Sequence, residues 1–529
     1  MNYKPTIGLE VHVELNTQSK MFCSCRNNSD AVAPNSQICP ICMAHPGTLP
    51  VANNEAIRKT IKTGLALNCK IAEVSKFDRK NYFYPDLPKG YQVSQYDMPF
   101  CEKGFLEISG NPPSQKASAR QSPPSLKATA RQEKIRITRI HLEEDTGRLI
   151  HSGDSSLVDF NRAGVPLMEL VTEPDIASGK EARAFAQELQ LILRYLGVSE
   201  ADMEKGQMRV EVNISLSKSK KLGTKVEIKN LNSFRVVERA ADYEIKRQTE
   251  VLEQGGKIIQ ETRGWNDSKG ITFSQREKEE AHDYRYFPEP DLPVIYLDKK
   301  FIEEIRAEIP ELPEQKRKRF SEEYGLEKQN VEVFAVSRNL SEYFEKVISE
   351  FIRWLKDEKI AQSGSARIAT RTSELARLRN VAGGGVANFH KLAKFSANYL
   401  ISDIQGLIGD KQFIEKDFSI SPENFAEFIT MIFKEEISSK TAKQVLEEMY
   451  KTGADPSHII EEKGLTQLND RAEIEKIIKN VISNNPKPVD DYKKGKEASL
   501  QFLVGKVMAQ TRGRAKPDIV QKLLKQFIQ

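Results

Sequence analysis

Ile7, Leu9, Val11, Val13 and Leu15 alternate with Gly8, Glu10, His12 and Glu14. A period of two over nine residues specifies a strand with one apolar face and one face carrying acids and a histidine. The design returns twice. Met208, Val210, Val212, Ile214 and Leu216 alternate with Arg209, Glu211, Asn213 and Ser215, and Val226 and Ile228 alternate with Glu227 and Lys229. A fourth strand, residues 134–139, runs into His141-Leu142-Glu143-Glu144-Asp145. Continued at period two, it sends Arg139, His141, Glu143 and Asp145 to one face and Leu142 and Glu144 to the other. Any one of these strands could be an ordinary solvated sheet face. Four of them gather carboxylates with His and Asn, and clustered carboxylates repel unless a cation compensates. Together they favour one polar sheet face that binds a hard cation, and oxygen ligands suit Mg²⁺ holding a nucleotide's phosphates.

A chain of 529 residues is too long for one core. With 39% hydrophobic and 29% charged residues it has an ordinary soluble composition, and a net charge of +5 says little by itself about nucleic acid. The N-terminal segment opens into a strand without a signal-like region, and no apolar run reaches the ~20 residues a membrane span needs. A cytoplasmic protein with no membrane partner is expected. Cys23-x-Cys25 and Cys39-x-x-Cys42 have the spacing of a tetrahedral zinc knuckle, against the plainer reading of four cytosolic thiols. Four thiolates would leave no open position, so such a site would be structural.

Residues 76–91 are dense in aromatics and cations and end in turn residues, which suits either a nucleotide-binding loop or one pinned to its own domain. Residues 112–132 hold an imperfect tandem repeat too poor in apolar residues to pack, read as a disordered insertion. A second odd stretch, 361–390, contains Gly383-Gly384-Gly385 without a P-loop's Lys-Ser/Thr. Phe185, Leu189, Leu193 and Leu196 mark a core-facing helix over about 180–196. Three prolines in 283–293 end the first domain, and helical patterns follow. Near the C-terminus, Lys506, Arg512, Arg514 and Lys516 lie in and beside a loop between two helices, where cations can grip phosphates without reading sequence, against the plainer reading of a solubilising basic tail.

Several long motifs occur in one order: Ile-Gly-Leu-Glu-Val-His-Val-Glu-Leu (7–15), residues 76–91, 141–147, 157–167, Glu-Ile-Lys-Asn-Leu-Asn-Ser-Phe (227–234) and 283–293. In these the chain closely resembles the B subunits of aspartyl/glutamyl-tRNA amidotransferases. The resemblance implies an α+β fold: an antiparallel-sheet cradle over 1–294, a helical domain over 295–415 and a small helical tail over 416–529 that contacts tRNA, while the stretches 110–133 and about 361–390 depart from the family pattern and read as insertions into it. It also implies the reaction. Mg·ATP phosphorylates the side-chain carboxylate of Glu misloaded on tRNA(Gln), or Asp on tRNA(Asn), and ammonia channelled from the amidase (A) subunit gives the amide. A small C subunit completes the heterotrimer. Glu10, His12, Glu143, Glu144, Glu211 and Glu227 match the family's motif positions and are the candidate catalytic Mg²⁺ ligands. Arg79, Lys80, Tyr82, Lys229 and Asn230 are candidate ATP or substrate contacts. The rival reading is a tRNA-binding scaffold without chemistry, which would be expected to have lost some of those six residues.

Overall fold

The computed structural model describes the chain except residues 1–2, 30–31, 110–131, 220, 278–283, 364–384, 410, 412, 466–470, 512–514, 516 and 529. The repeat-bearing insertion, save residues 132 and 133 in a strand, therefore lies outside the described residues. So do Arg512, Arg514 and Lys516, and the middle of the 361–390 stretch, whose ends are helical.

Two compact units divide the chain, Met1–Pro313 and Glu314–Gln529. In the first, the strands are β1 (Lys4–Glu14), β2 (Lys70–Ile71), β3 (Val74–Ser75), β4 (Asp78–Asn81), β5 (Tyr91–Ser94), β6 (Cys101–Ser109), β7 (Gln132–Glu144), β8 (Arg148–Ser152), β9 (Ser155–Asp159), β10 (Pro166–Thr172), β11 (Met208–Ser217), β12 (Val226–Leu231), β13 (Glu261–Asn266), β14 (Ile271–Glu277), β15 (Phe287–Pro288) and β16 (Ile295–Tyr296). The helices are α1 (Asn54–Ala66), α2 (Gly179–Leu196), α3 (Phe234–Glu253) and α4 (Lys299–Ala307). The alternating segment at the N-terminus becomes the central strand of a nine-stranded sheet, ordered β14-β13-β12-β11-β1-β10-β7-β6-β2.

Ile7, Leu9, Val11 and Val13 have no exposed surface and share one core with the apolar residues of α1, α2 and α3. Burying side chains of this size stabilises the fold by ~1.5–3 kcal/mol each. The helix over 180–196 forms as the pattern requires. Ser178 caps its N-terminus, Glu181 accepts from the Ala177 N–H, and Gly197 ends it in the left-handed region. The sheet is antiparallel with one departure: β12 and β13 pair in parallel, joined by α3 as a crossover.

Two of the expected domain limits differ from the cores. The first core does not stop at 294, because Leu297 and Ile305 of α4 are buried in it. Within the second unit, whose described elements are helical, buried residues from Phe320 to Ile352 and from Phe389 to Ile460 share one core. Tyr343 and Phe344 pack there with Phe425 and Phe428, beyond the expected limit at 415. The Tyr343 hydroxyl also donates to the carbonyl of Ile420 at 3.0 Å. A separate small core begins only at Ile474 and runs to Ile528. A helix of strong amphipathic pattern does not reveal which neighbour it will share a core with.

Candidate active site

The sheet register places the polar residues side by side. His141 lies opposite Glu169, Glu169 opposite His12, and His12 opposite Arg209, across β7, β10, β1 and β11. Glu10 lies opposite Glu211, and Asn213 opposite Glu227. One stripe thus crosses five strands on the face away from the helices.

Its first half is a His and Glu cluster. Nε2 of His12 is 3.4 Å from Glu169 and 3.9 Å from Glu143, and Nε2 of His141 is 3.3 Å and 3.7 Å from the same two carboxylates. The Ser94 hydroxyl donates to Glu143 at 3.0 Å. Burial works against charge on both imidazoles, but the facing carboxylates outweigh it. His12 is raised, and His141 rises to about 9. Burial likewise works against the Glu169 carboxylate, and His141 and His12 hold it well below its ordinary range. The facing carboxylates favour the protonated form of both imidazoles, and a bound cation would compete for the same place. His12, Glu143 and Glu169 each bring a ligand atom within 4.8 Å of the others.

The second half is more acidic. Glu10, Glu211 and Glu227 converge in the same way. Lys229 lies 2.8 Å from Glu211 and 3.5 Å from Glu227, Asn213 donates to Glu10 at 2.8 Å, and Thr262 donates to Glu227 at 2.7 Å. Burial first, then repulsion from Glu169, Glu211 and Glu227, raises the Glu10 carboxyl. Three carboxylates facing one lysine are what a bound divalent cation would relieve.

Glu144 does not join either cluster. It points to the opposite side of β7, as strand alternation requires, where it pairs with Lys89 and accepts from the Val93 N–H at 3.0 Å. It is a buried anchor for β5 and is removed from the ligand set. Arg79 is also committed elsewhere: its guanidinium makes two 2.7 Å bonds to Glu289 and lies over Tyr91, pinning the proline-rich connector to β4. Lys80 does face the site. Burial opposes its charge, but Glu143, with Tyr286, Glu169 and Tyr82 behind it, raises the amine above its ordinary range. Tyr82 stands edge-on to Tyr284, its hydroxyl raised chiefly by burial. Asn230 adopts φ +63° where the β11–β12 register slips, so Lys229 and Asn230 together oppose Glu211 in a bulge.

Sequence reasoning misses Glu169. It sits inside the apolar run of β10, Pro166-Leu-Met-Glu-Leu-Val-Thr172, where no polar alternation marks it. A lone Glu in a strand otherwise buried was the only available signal. Beside the stripe, Asp145 bonds Arg209 at 2.8 Å, with Arg162 at 3.7 Å. Burial and the nearby Asp145 push the Glu14 carboxyl up to about 8.

The four knuckle cysteines come together. Cys42 Sγ is 3.4 Å from Cys23, 3.6 Å from Cys39 and 3.6 Å from Cys25. Sulfurs ~2.3 Å from one tetrahedral Zn²⁺ stand about 3.8 Å apart, so the set fits that ion. A hydrogen bond from Cys23, aided by the charge of Lys20, pulls the Cys42 thiol down to about 4, while burial pushes Cys25 up to about 12. In the second unit, Lys506 lies on the helix Glu497–Gln510 with its amine over Phe502 at 5.3 Å. Among the described residues no helix is long and apolar enough to cross a membrane.

Known proteins resemble the chain along its whole length. The GatB/GatE catalytic domain family matches residues 5–303, and the GatB domain family matches residues 385–528. The chain is 44% identical over 530 residues to the B subunit of the aspartyl/glutamyl-tRNA(Asn/Gln) amidotransferase of Persephonella marina. It is 46% identical over 536 residues to the protein of that name from Caldicellulosiruptor saccharolyticus, and 42% over 537 residues to the one from Thermotoga maritima. In all three cases the match covers 100% of both chains. The chain belongs to the GatB family, the B subunits of aspartyl/glutamyl-tRNA(Asn/Gln) amidotransferases.

Proposed function

We propose that this chain is the kinase and transamidase component of a glutamine-dependent tRNA amidotransferase, acting on Glu-tRNA(Gln), Asp-tRNA(Asn) or both. It works in the cytoplasm, in a heterotrimer with an amidase (A) subunit and a small C subunit. The observation that carries the reading is the pair of adjoining donor clusters on one sheet face, with Lys80 facing one and Lys229 within the other.

A carboxylate is a poor electrophile because oxide would have to leave, so it must first be activated. The substrate carboxylate oxygen bonds to the γ-phosphorus of ATP, the bond to the bridging oxygen breaks, and ADP departs. Ammonia then adds to the acyl phosphate carbonyl, and inorganic phosphate leaves with the amide formed. Mg²⁺ supplies charge neutralisation and fixed phosphate geometry when bound. His12, Glu143 and Glu169 would hold one cation, and Glu10, Glu211 and Glu227 a second. Lys229 and Lys80 offset phosphate charge from the two ends of the stripe. Tyr82 and its aromatic neighbours, with the Asn230 bulge, bound the space for nucleotide and substrate. Cys23, Cys25, Cys39 and Cys42 hold structural Zn²⁺. Lys506, with Arg512, Arg514 and Lys516, meets tRNA phosphates.

A scaffold without chemistry has no use for clustered acids whose mutual repulsion costs stability. The test is ADP release by the chain reconstituted with its amidase and small partners, given Mg·ATP and Glu-tRNA(Gln), with uncharged tRNA and a Glu10→Gln variant as controls. Release that requires the misacylated tRNA and collapses in the variant is expected. Release indifferent to the aminoacyl group, or unaffected by the variant, sinks the reading.

A further inference from the structure

Lys20 is 1% exposed, a rare state for a lysine. Its amine has three partners: the carbonyl of Ala163 at 2.8 Å, the carbonyl of Phe160 at 3.4 Å, and Sγ of Cys42 at 3.8 Å. Its stem runs beneath Gly164, where Cδ would lie 3.6 Å from an added Cβ. The backbone continues the connection. Lys20 N–H donates to the Cys25 carbonyl at 2.9 Å and Met21 N–H to the Gly164 carbonyl at 2.7 Å. Gly164 N–H in turn donates to Asp145 at 2.9 Å, and Asp145 N–H to Val165 at 2.8 Å. One buried cation therefore stands between the cysteine knuckle and the loop that holds the end of the acidic motif.

Four thiolates around one divalent zinc leave a net double negative charge in a partly buried place, which is costly without a nearby cation. We infer that Lys20 is the internal countercation of the knuckle, and that it ties zinc occupancy to the ordering of residues 160–165 beside Asp145. The inference rests on the zinc reading above. A lysine that served only to satisfy the two carbonyls would have no reason to place its amine against a cysteine sulfur. Partners outside the ligand shell that touch a metal's ligands tune affinity by about 10–100-fold.

The test uses the full chain loaded with zinc and titrated with a competing chelator, zinc release being followed with a metallochromic dye. Lys20→Met, which keeps the stem and removes the charge, is expected to weaken apparent zinc affinity by about 10–100-fold. A variant that holds zinc as tightly as the parent overturns the inference. The parent supplies a second measurement that needs no variant. Stripping its zinc should speed amide exchange at Met21, Asp145 and Gly164 while leaving β13 unchanged, and exchange that ignores zinc overturns the coupling even if Lys20→Met fails to fold. A parent that binds no zinc overturns the zinc reading, and the inference with it.

Discussion

The cysteine knuckle and the carboxylate stripe both gather anionic donors, yet they are built in opposite ways. The knuckle draws its candidate ligands from within twenty residues, Cys23 to Cys42, and the four sulfurs lie within 4.8 Å of one another, as one tetrahedral ion would need. The stripe draws its six cluster donors from β1, β7, β10, β11 and β12, segments more than two hundred residues apart at their extremes, and spreads them over a sheet face. The first arrangement has no position left for a substrate. The second leaves each cluster of three donors short of a full coordination sphere, which suits a Mg²⁺ that keeps waters and takes phosphate oxygens. On the proposed reading, a local site that four sulfurs would saturate suits a structural ion, and a long-range, unsaturated one suits chemistry.

Breaking the knuckle should give the largest effect. Cys42 is the sulfur within 3.6 Å of all three others, so Cys42→Ser should abolish zinc binding. Loss of a structural metal should cost the first unit about 3 kcal/mol or more, lowering its melting temperature by roughly 6 °C or more. Zinc content by elemental analysis and a thermal melt check this together. Unchanged zinc content would mean the four sulfurs are not the ligand set.

The acidic motif and its neighbouring strand offer one carboxylate in the stripe, Glu169, and one outside it, Glu144. Glu144→Gln leaves Lys89 without its buried partner and should cost about 2–4 kcal/mol of stability. The turnover of the folded fraction should fall less than ~10-fold. Glu169→Gln should do the reverse, with kcat down ~100-fold or more, equivalent to ~2.7 kcal/mol, and a melt shifted by less than about 3 °C. Melts alongside aminoacyl-dependent ADP release separate the two. Equal losses of activity would return Glu144 to the site.

A smaller effect comes from Glu14, at the margin of the stripe. Its carboxyl stands at about 8 in the folded chain against an ordinary 4.5, chiefly from burial and then Asp145. Between those values the folded state holds a proton that the unfolded state has lost, so this group's contribution to stability falls as pH rises from about 4.5 to 8. Glu14→Gln should leave the melt unchanged near pH 4.5 and raise it by several degrees at about pH 8.5. A parent and variant that diverge in the opposite direction would show that Arg209 and Arg162 govern Glu14 instead.

Much of this was legible in the residues because a strand's period of two is short-range. Glu10, His12, Glu211 and Glu227 announce their face through the apolar residues beside them, and the oppositely directed Glu143 and Glu144 follow from the same rule. What escaped was long-range. Glu169 becomes a ligand candidate only because β10 pairs between β1 and β7, a fact absent from its apolar neighbourhood. Arg79 reads as a substrate contact until Glu289, more than two hundred residues later, takes two of its three guanidinium nitrogens. The core limits escaped for the same reason, since α4 looks like any amphipathic helix until Ile305 finds the first core.

The smallest effect concerns how the stripe ends. At φ +63°, Asn230 occupies the left-handed region that ordinary side chains enter at a cost of about 1–2 kcal/mol and that Asn and Gly tolerate. The bulge it permits sets two residues against Glu211 and so aims the Lys229 amine between Glu211 and Glu227. If the backbone is what matters, Asn230→Gly should match the parent in stability to within about 0.5 kcal/mol. Asn230→Ala should then lose about 1 kcal/mol and raise the KM for Mg·ATP by roughly 2–5-fold as Lys229 shifts. If the exposed amide itself touches a phosphate, Gly and Ala would raise KM alike. Measuring both variants therefore decides between a turn that positions a lysine and a side chain that binds substrate.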